Sequence, residues 1–214
     1  MSAFVVAMIG FSAVWVGGWP LYLLTGIVMA TMLYELFAIV YRGEQRSWQF
    51  AFFALGALYI LAADVAFIAL RGQEAFGLLS ILWAVLVVIA ADVGGYFAGR
   101  LIGGPKLWPK VSPKKTWAGL GGGIALAFVV GGLFSWATTG TYFYQVCIVS
   151  MIAALVAQGG DLAESALKRH FGVKDAGSLI PGHGGLLDRL DGHMAALLVA
   201  AAVTFWRGKP VFIW

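Results

Sequence analysis

The densest group of chemically active side chains in this sequence lies between residues 160 and 192. Five of the ten acidic residues occur there, together with four basic residues and His183. The acidic residues are Asp161, Glu164, Asp175, Asp188 and Asp191, and the others are Lys168, Arg169, Lys174, Arg189 and His183. A charged loop that only faces water has the same composition. Carboxylates and cations held at one point could instead bind a divalent metal ion and phosphate groups.

Four polar residues at helical spacing favour a metal–phosphate site over a solvated loop. Asp161, Glu164, Ser165 and Lys168 occupy positions i, i+3, i+4 and i+7, which places them on one face of a helix. An apolar segment precedes them directly, so we predict that this helix continues out of a membrane span. Two carboxylates and an ammonium group would then face one point at the bilayer surface.

A glycine-rich turn and a second pair of carboxylates follow. Residues 181–185 read Pro-Gly-His-Gly-Gly, a backbone that could approach a phosphate and offer it N–H groups, although an ordinary flexible turn looks the same. Asp188 and Asp191 lie one helical turn apart before an apolar segment, where unpaired acids are costly. Hard cations such as Mg²⁺ take oxygen ligands. We therefore predict Mg²⁺ on Asp161 and Asp188, with a second cation possible.

A second polar loop, residues 100–119, offers further phosphate donors. Ser112, Lys115 and Thr116 supply a hydroxyl, an ammonium group and a second hydroxyl beside the glycine-rich start of a helix. We predict that this loop forms the wall opposite residues 160–192.

Three acidic residues lie inside or near apolar segments. Asp92 is near the end of one such segment and beside Gly94 and Gly95, and an intramembrane acid is a functional candidate by default. Asp64 and Glu35 fall under the same rule, but no motif surrounds them and no role is assigned to either.

The elements that must position these residues are membrane helices. Hydrophobic residues make up 61% of the chain and charged residues 11%, against about 25% charged in soluble domains. A span needs roughly 20 mainly apolar residues, and we predict about seven, at residues 3–16, 21–41, 50–70, 76–98, 120–138, 142–157 and 194–206. The expected fold is an all-α, polytopic transmembrane bundle. It forms one domain, residues 1–214, with amino-terminal spans in 1–91 and a catalytic half in 92–214.

Basic residues indicate the orientation of this bundle. Eleven of the 14 Lys and Arg residues follow even-numbered predicted spans, so the positive-inside rule places the amino terminus and both polar loops in the cytoplasm, where nucleotides are. The first apolar segment lacks a basic region before it, and we expect no cleavable signal peptide. The net charge of +4 is read as topology and lipid-headgroup contact rather than nucleic-acid binding. The single Cys147 allows neither a disulfide framework nor a cysteine-based zinc site.

A long motif runs through the catalytic half. It reads Ser-x-Leu-Lys-Arg at 165–169, Lys-Asp at 174–175 and Pro-x-His-Gly-Gly-x-x-Asp-Arg-x-Asp at 181–191, with support from 92–100, 112–117 and 160–165. These segments resemble the phosphatidate cytidylyltransferases, also called CDP-diacylglycerol synthases. The first three spans match that family only in hydropathy. At Ala118 the sequence departs from the family, whose members commonly carry a Glu there.

The resemblance implies that CTP condenses with phosphatidic acid to give CDP-diacylglycerol and pyrophosphate. It also implies Mg²⁺ dependence, a bacterial inner-membrane location with the site facing the cytoplasm, contact with membrane lipids, and a possible homodimer. The implied catalytic residues are Asp161, Lys168, Asp188, Arg189 and Asp191. The implied substrate-binding residues are Asp92, Ser112, Lys115, Thr116, Glu164, Ser165, Arg169, His183, Gly184 and Gly185.

Two alternatives remain open from the sequence. The first changes the lipid, giving a CDP-archaeol synthase or a CTP-dependent isoprenoid-alcohol kinase. The second is an ion transporter with Asp64, Asp92 and Asp161 along its pathway. A transporter predicts polar residues scattered through many spans, whereas those of this chain concentrate in two loops on one side.

Overall fold

The computed structural model of the protein describes residues 2–42, 48–177 and 184–213, with side chains from residue 8 onward. The described residues form seven helices and one two-stranded hairpin. In chain order these are α1 (Ser2–Val16), α2 (Gly18–Val40), α3 (Gln49–Arg71), α4 (Gly77–Leu101), β1 (Lys106–Trp108), β2 (Ser112–Thr116), α5 (Trp117–Thr138), α6 (Phe143–His170) and α7 (Leu187–Arg207).

Five of these helices, α2 to α6, are long and apolar enough to cross a membrane. Two of the seven predicted spans are not among them. The first lies in α1, which has 15 residues, and the last lies in α7, whose first turns carry Asp188, Arg189 and Asp191. The membrane character of the chain is therefore confirmed, while the count of seven spans is not.

The sequence-based prediction of an all-helical fold omitted a short antiparallel hairpin. Strands β1 and β2 pair Lys106 with Thr116 and Trp108 with Ser112. The Thr116 hydroxyl accepts a hydrogen bond of 3.0 Å from the Gly119 backbone N–H, which makes Thr116 the N-cap of α5. The hairpin thus feeds directly into α5, and Lys115 is held one residue before the cap.

Glycines allow α4 and α5 to pack backbone against backbone. A Cβ atom added to Gly119 would lie 2.8 Å from the Gly95 carbonyl oxygen, and one added to Gly123 would lie 2.6 Å from the Ala91 carbonyl oxygen. Small residues at such contacts let membrane helices approach closely. This contact fixes the start of α5, and with it the hairpin, against the end of α4 that carries Asp92.

The core consists of two apolar clusters that meet at α7. One is built mainly from α4, α6 and α7 around the fully buried Trp83, and the other from α2, α3 and α7 around Leu36 and Ile60. The Trp83 indole N–H donates to the Ser150 hydroxyl over 2.9 Å, which ties α4 to α6. Helix α7 therefore lies between the two halves of the bundle, and its first turns carry Asp188 and Asp191.

Candidate active site

A polar cavity of about 200 Å³ lies among the polar ends of α4, α6 and α7. Four carboxylates and two permanent cations line it, with a histidine beside them: Asp92, Asp161, Asp188, Asp191, Lys168, Arg189 and His193. Residues that are up to 101 positions apart in the chain thus face one space. The two predicted metal ligands, Asp161 and Asp188, are both among them.

Lys168 is the central cation of this site. Its Nζ lies 2.5 Å from Asp188 Oδ1 and 3.3 Å from Glu164 Oε1, so it joins α6 to α7 and also pairs with the residue one turn earlier on its own helix. The Lys168 side chain is 11% exposed and that of Glu164 is 8% exposed. Shielding from water makes these ion pairs stronger than surface pairs. The predicted extension of this helix beyond the apolar segment is confirmed, because α6 runs to His170.

Lys115 brings the second polar loop to the same site. Its Nζ lies 2.5 Å from Asp161 Oδ2, and the other Asp161 oxygen accepts a 3.3 Å hydrogen bond from the Ser165 hydroxyl. Lys115 thus contacts the 160–192 stretch at Asp161, and the prediction that residues 112–117 form the opposite wall of the site stays a prediction. The contact exists because β2 leads into α5, which packs along α4.

Asp188 is held by three donors from two parts of the chain. One oxygen accepts from Lys168, and the other accepts from the backbone N–H groups of Ala176 (2.9 Å) and Gly185 (3.0 Å). Burial raises the pKa of Asp188, but these donors outweigh it and leave that pKa below its ordinary value. Asp188 is thus an ionised carboxylate in a fixed orientation.

Asp191 has the opposite electrostatic environment. Burial, followed by repulsion from Asp161, raises the pKa of Asp191 to about 6. Its carboxylate lies beside that of Glu164, and one of its oxygens accepts from the Gly192 N–H over 2.6 Å. Two buried carboxylates in contact must share a proton or a cation.

The donor chemistry of the cavity fits a hard divalent cation. Acids outnumber permanent cations along its wall, and carboxylate oxygens are the ligands that Mg²⁺ prefers. A carboxylate has about four acceptor positions. Among the described residues, Asp161 uses two of these positions and Asp188 uses three, so Asp161 has more capacity left for a metal. Within the described ranges no three His, Cys, Asp or Glu side chains already form a metal-binding group.

Other predicted site residues have structural partners in the described part of the chain. Thr116 is 4% exposed and caps α5. Arg169 is exposed and donates to the Val173 carbonyl oxygen over 3.4 Å. Ser112 pairs with Trp108 in the hairpin. No shared contact connects these three residues to the cavity, so their substrate-binding roles remain predictions.

The glycines of the predicted phosphate turn are explained by carboxylates of the protein itself. Gly184 has φ +82°, and the Gly185 N–H donates to Asp188. A Cβ on Gly185 would lie 2.9 Å from both Glu35 carboxylate oxygens. Phosphate binding by this backbone remains a prediction, and His183 lies outside the described residues.

Sequence reasoning missed Glu35 as part of the site's support. Glu35 is 3% exposed in α2, and its two oxygens accept from the Leu186 N–H (3.0 Å) and the Leu187 N–H (2.8 Å). It therefore caps the start of α7 from another helix, favourably placed at the positive end of the helix dipole. A Cβ on Gly177 would lie 2.7 Å from the same carboxylate. The sequence does mark Glu35 as an acid inside an apolar segment, but it does not indicate the partner, because Leu186 is 151 residues away.

Two further residues of the site lack a sequence motif. The Gln158 amide donates to Asp92 Oδ1 over 3.0 Å and so holds Asp92 towards α6. His193 lines the cavity two residues after Asp191. Helical spacing places Gln158 one turn before Asp161, but it does not indicate which neighbouring helix it meets.

The fold and the site define a class of protein: a helical membrane protein with a compact carboxylate–lysine centre at one end of its bundle. The sequence profile of the Cytidylyltransferase family matches residues 41–206, and the chain belongs to that family.

Curated relatives with the name phosphatidate cytidylyltransferase share much of this sequence. The protein of Brucella suis biovar 1 (strain 1330) is 43% identical over 159 residues, which cover 74% of this chain and 57% of the relative. That of Bacillus subtilis (strain 168) is 36% identical over 168 residues, covering 78% and 62%. That of Helicobacter pylori (strain ATCC 700392 / 26695) is 34% identical over 219 residues, covering 99% and 77%. The matched region therefore spans little more than half of the Brucella relative.

Proposed function

We propose that this protein transfers the cytidylyl group of CTP to phosphatidic acid, giving CDP-diacylglycerol and pyrophosphate. The observation that carries the proposal is the joining of three distant segments at one polar cavity by Lys115–Asp161 and Lys168–Asp188. Family membership and the names of the relatives support it. A site that unites two polyanions needs fixed cations, and these two lysines supply them.

In the proposed reaction a phosphate oxygen of the lipid attacks the α-phosphorus of CTP. A new P–O bond forms, the bond from the α-phosphorus to the bridging oxygen of the β-phosphate breaks, and pyrophosphate leaves with its electron pair. The attacking oxygen is already ionised at neutral pH, so no strong general base is needed. Catalysis then rests on positioning and on charge stabilisation of the leaving group.

The ion pairs of the site suggest how substrate binding would proceed. Phosphate oxygens of CTP would compete with Asp161 for Lys115 and with Asp188 for Lys168. Until then, the carboxylates hold both ammonium groups at the cavity. Arg189 also lines the cavity and would add positive charge towards the phosphates.

Asp161 and Asp188 would hold Mg²⁺, with Glu164 and Asp191 nearby for water-mediated contacts or a second cation. When bound, the metal would neutralise triphosphate charge and polarise the scissile bond. The excess of four carboxylates over two permanent cations along the cavity wall supports this assignment.

The site would face the cytoplasm of a bacterial inner membrane, where CTP is available. The concentration of basic residues in the loops before α3, before α5 and before α7 supports this orientation. The lipid tails would remain among the helices while the headgroup reaches the cavity. A homodimer is also part of the proposal, on the resemblance alone.

The test is an assay of the purified protein with CTP, phosphatidate and titrated Mg²⁺. Label in the α-phosphate of CTP should enter the lipid, and label in the γ-phosphate should not. The reverse result would indicate a CTP-dependent lipid kinase and overturn the proposal. Archaeol-type and diacyl phosphatidates are compared side by side to identify the lipid.

Asp161→Asn and Asp188→Asn test the cation assignment in the same assay. Both variants should lose at least about 100-fold in kcat/KM and require more Mg²⁺ for half-maximal rate. Asp175→Asn is the matched control, because Asp175 is an exposed acid close in sequence to Asp188. Full activity of both site variants would refute the assignment.

A further inference from the structure

A second cavity of about 200 Å³ lies inside the bundle, between α2, α3, α4 and α7. Its wall is almost entirely apolar, with side chains such as Leu24, Phe67, Val85 and Leu197. Only Thr25, Asp64 and His193 interrupt that wall. Its chemistry is therefore opposite to that of the polar cavity.

The two cavities follow one another along the same two helices. On α4 the apolar cavity is lined by residues 81–85, and the polar cavity begins at Val88. Three residues of helix correspond to about 4.5 Å. On α7 the polar cavity is lined by residues 188–193, and the apolar cavity extends to Leu197. The apolar space thus lies deeper in the bundle than the polar one.

His193 lies at the junction, because its side chain lines both cavities. On the apolar side, Leu190, His193, Met194 and Leu197 recur at i, i+3, i+4 and i+7, which is one stripe of α7. On the polar side, the same helix presents Asp188 and Asp191. A single helix thereby separates a charged space from a hydrocarbon-like one.

We propose that the apolar cavity binds an acyl chain of the lipid phosphate substrate, with His193 beside the glycerol region. This inference rests on the proposed function, because it assigns the phosphate end of the same molecule to the polar cavity. A phosphate monoester of diacylglycerol has a charged phosphate at one end and acyl chains at the other, which matches a polar cavity followed by an apolar one. The acyl chain is already surrounded by hydrocarbon in the bilayer, so a pocket of fixed size would select substrates by how well a chain of given length packs in it rather than by transfer from water.

Filling the cavity tests the proposal. Ala63 and Ala84 line it and are each 2% exposed. Ala63→Leu and Ala84→Leu should raise KM for dipalmitoyl phosphatidate about ten-fold, while the kcat/KM for water-soluble dihexanoyl phosphatidate stays close to that of the parent. Ala54→Leu is the matched control, because Ala54 lies on the exposed face of the same helix as Ala63. Equal kinetics of all three variants on both lipids would overturn the proposal.

A cross-linking experiment on the unaltered protein avoids any effect of substitution on folding. Phosphatidate with a diazirine near the end of one acyl chain should label the stretches 63–67 or 190–197, and unlabelled phosphatidate should compete. Labelling confined to outward-facing residues would reject the pocket. Competition by phosphatidylcholine as strong as that by phosphatidate would identify a structural lipid site instead and would also reject it.

These outcomes are separate from failure of the proposed function. If the parent protein incorporates no cytidylyl label from any phosphatidate, the activity itself is refuted. If the parent is active, but the Leu variants show no chain-length dependence and cross-linking labels neither 63–67 nor 190–197, only the acyl pocket is refuted.

Discussion

The role of Lys115 and Lys168 in the site is indicated by the carboxylates they contact. Both belong to basic stretches whose composition also suits headgroup contact. Their ion pairs with Asp161 and Asp188, each 2.5 Å long, place them at one cavity. Lys114, next to Lys115 in β2, is exposed. Strand alternation therefore separates a site lysine from a surface lysine within two consecutive positions.

This alternation gives a residue-scale prediction. Lys115→Gln should lower kcat/KM for CTP at least about 100-fold, because it removes a positioned cation from a site that stabilises phosphate charge. Lys115→Arg should retain part of the activity because it keeps the charge. Steady-state rates with varied CTP measure both effects.

The control for this experiment is Lys114→Gln, which removes the same charge from the adjacent position. Its kcat/KM should stay within about two-fold of the parent, as expected for an exposed charge. Equal losses in the two glutamine variants would show that only the overall charge of the loop matters.

At the scale of the element, the start of α7 depends on a residue of α2. Glu35 accepts from two backbone N–H groups that would otherwise have no partner in the first turn. The preceding backbone N–H, that of Gly185, donates to Asp188. The beginning of α7 and the orientation of Asp188 therefore depend on one set of hydrogen bonds.

Glu35→Gln should destabilise this junction by about 1–3 kcal/mol, because the glutamine NH₂ group would face a buried N–H donor. Hydrogen exchange of the Leu186 and Leu187 amides should become faster, and the thermal transition should move to a lower temperature. Glu74→Gln, at an exposed acid in the connection between α3 and α4, should change neither. Unchanged exchange in Glu35→Gln would contradict the capping role.

The α4–α5 contact gives a second element-scale prediction. A Cβ on Gly122 would meet the Ala98 side chain and lie 2.8 Å from the Gly94 carbonyl oxygen, whereas one on the adjacent Gly121 would meet nothing within 4 Å. Gly122→Ala should cost about 1–3 kcal/mol of stability and lower activity, because β2, which carries Lys115, leads directly into α5. Gly121→Ala should be neutral or slightly stabilising, since alanine favours a helix. Thermal unfolding and CTP turnover of the two variants provide the comparison.

At the scale of the whole molecule, the polar loops collect at one end of the bundle. The hairpin before α5 meets the carboxyl-terminal part of α6 through Lys115 and Asp161, and the connection from α6 to α7 follows that part of α6. The short connection between α3 and α4 follows the carboxyl-terminal end of α3. The proposed orientation therefore places the connection before α5 on the cytoplasmic side of the membrane and the connection between α3 and α4 on the opposite side.

Cysteine labelling in sealed vesicles tests this arrangement. The native Cys147 is fully buried, so it should react little with a membrane-impermeant thiol reagent. Lys114→Cys should be labelled only in inside-out vesicles, and Glu74→Cys only in right-side-out vesicles. Labelling of both positions from the same side would reject the proposed orientation.

The sequence by itself determined the membrane character, the approximate ends of the apolar helices and the helical face of Asp161, Glu164, Ser165 and Lys168. These features depend on local hydropathy and on the 3.6-residue period, which neighbouring residues encode. The same reasoning predicted seven spans, of which five are helices long and apolar enough to cross a membrane, and it omitted the hairpin. A short strand pair depends on cross-strand contacts between residues that sequence periodicity does not connect.

Only the tertiary structure decided which charged groups meet. Glu35 caps a helix that begins 152 positions later, Gln158 holds Asp92, and Gly185 is small because the Glu35 carboxylate occupies the space of its side chain. The adjacent polar and apolar cavities likewise arise from the packing of five helices. Such contacts depend on the distances and orientations of packed elements, which helical periodicity leaves open. The residue types of the site could therefore be predicted from the sequence, whereas the contacts between them could be found only in the tertiary structure.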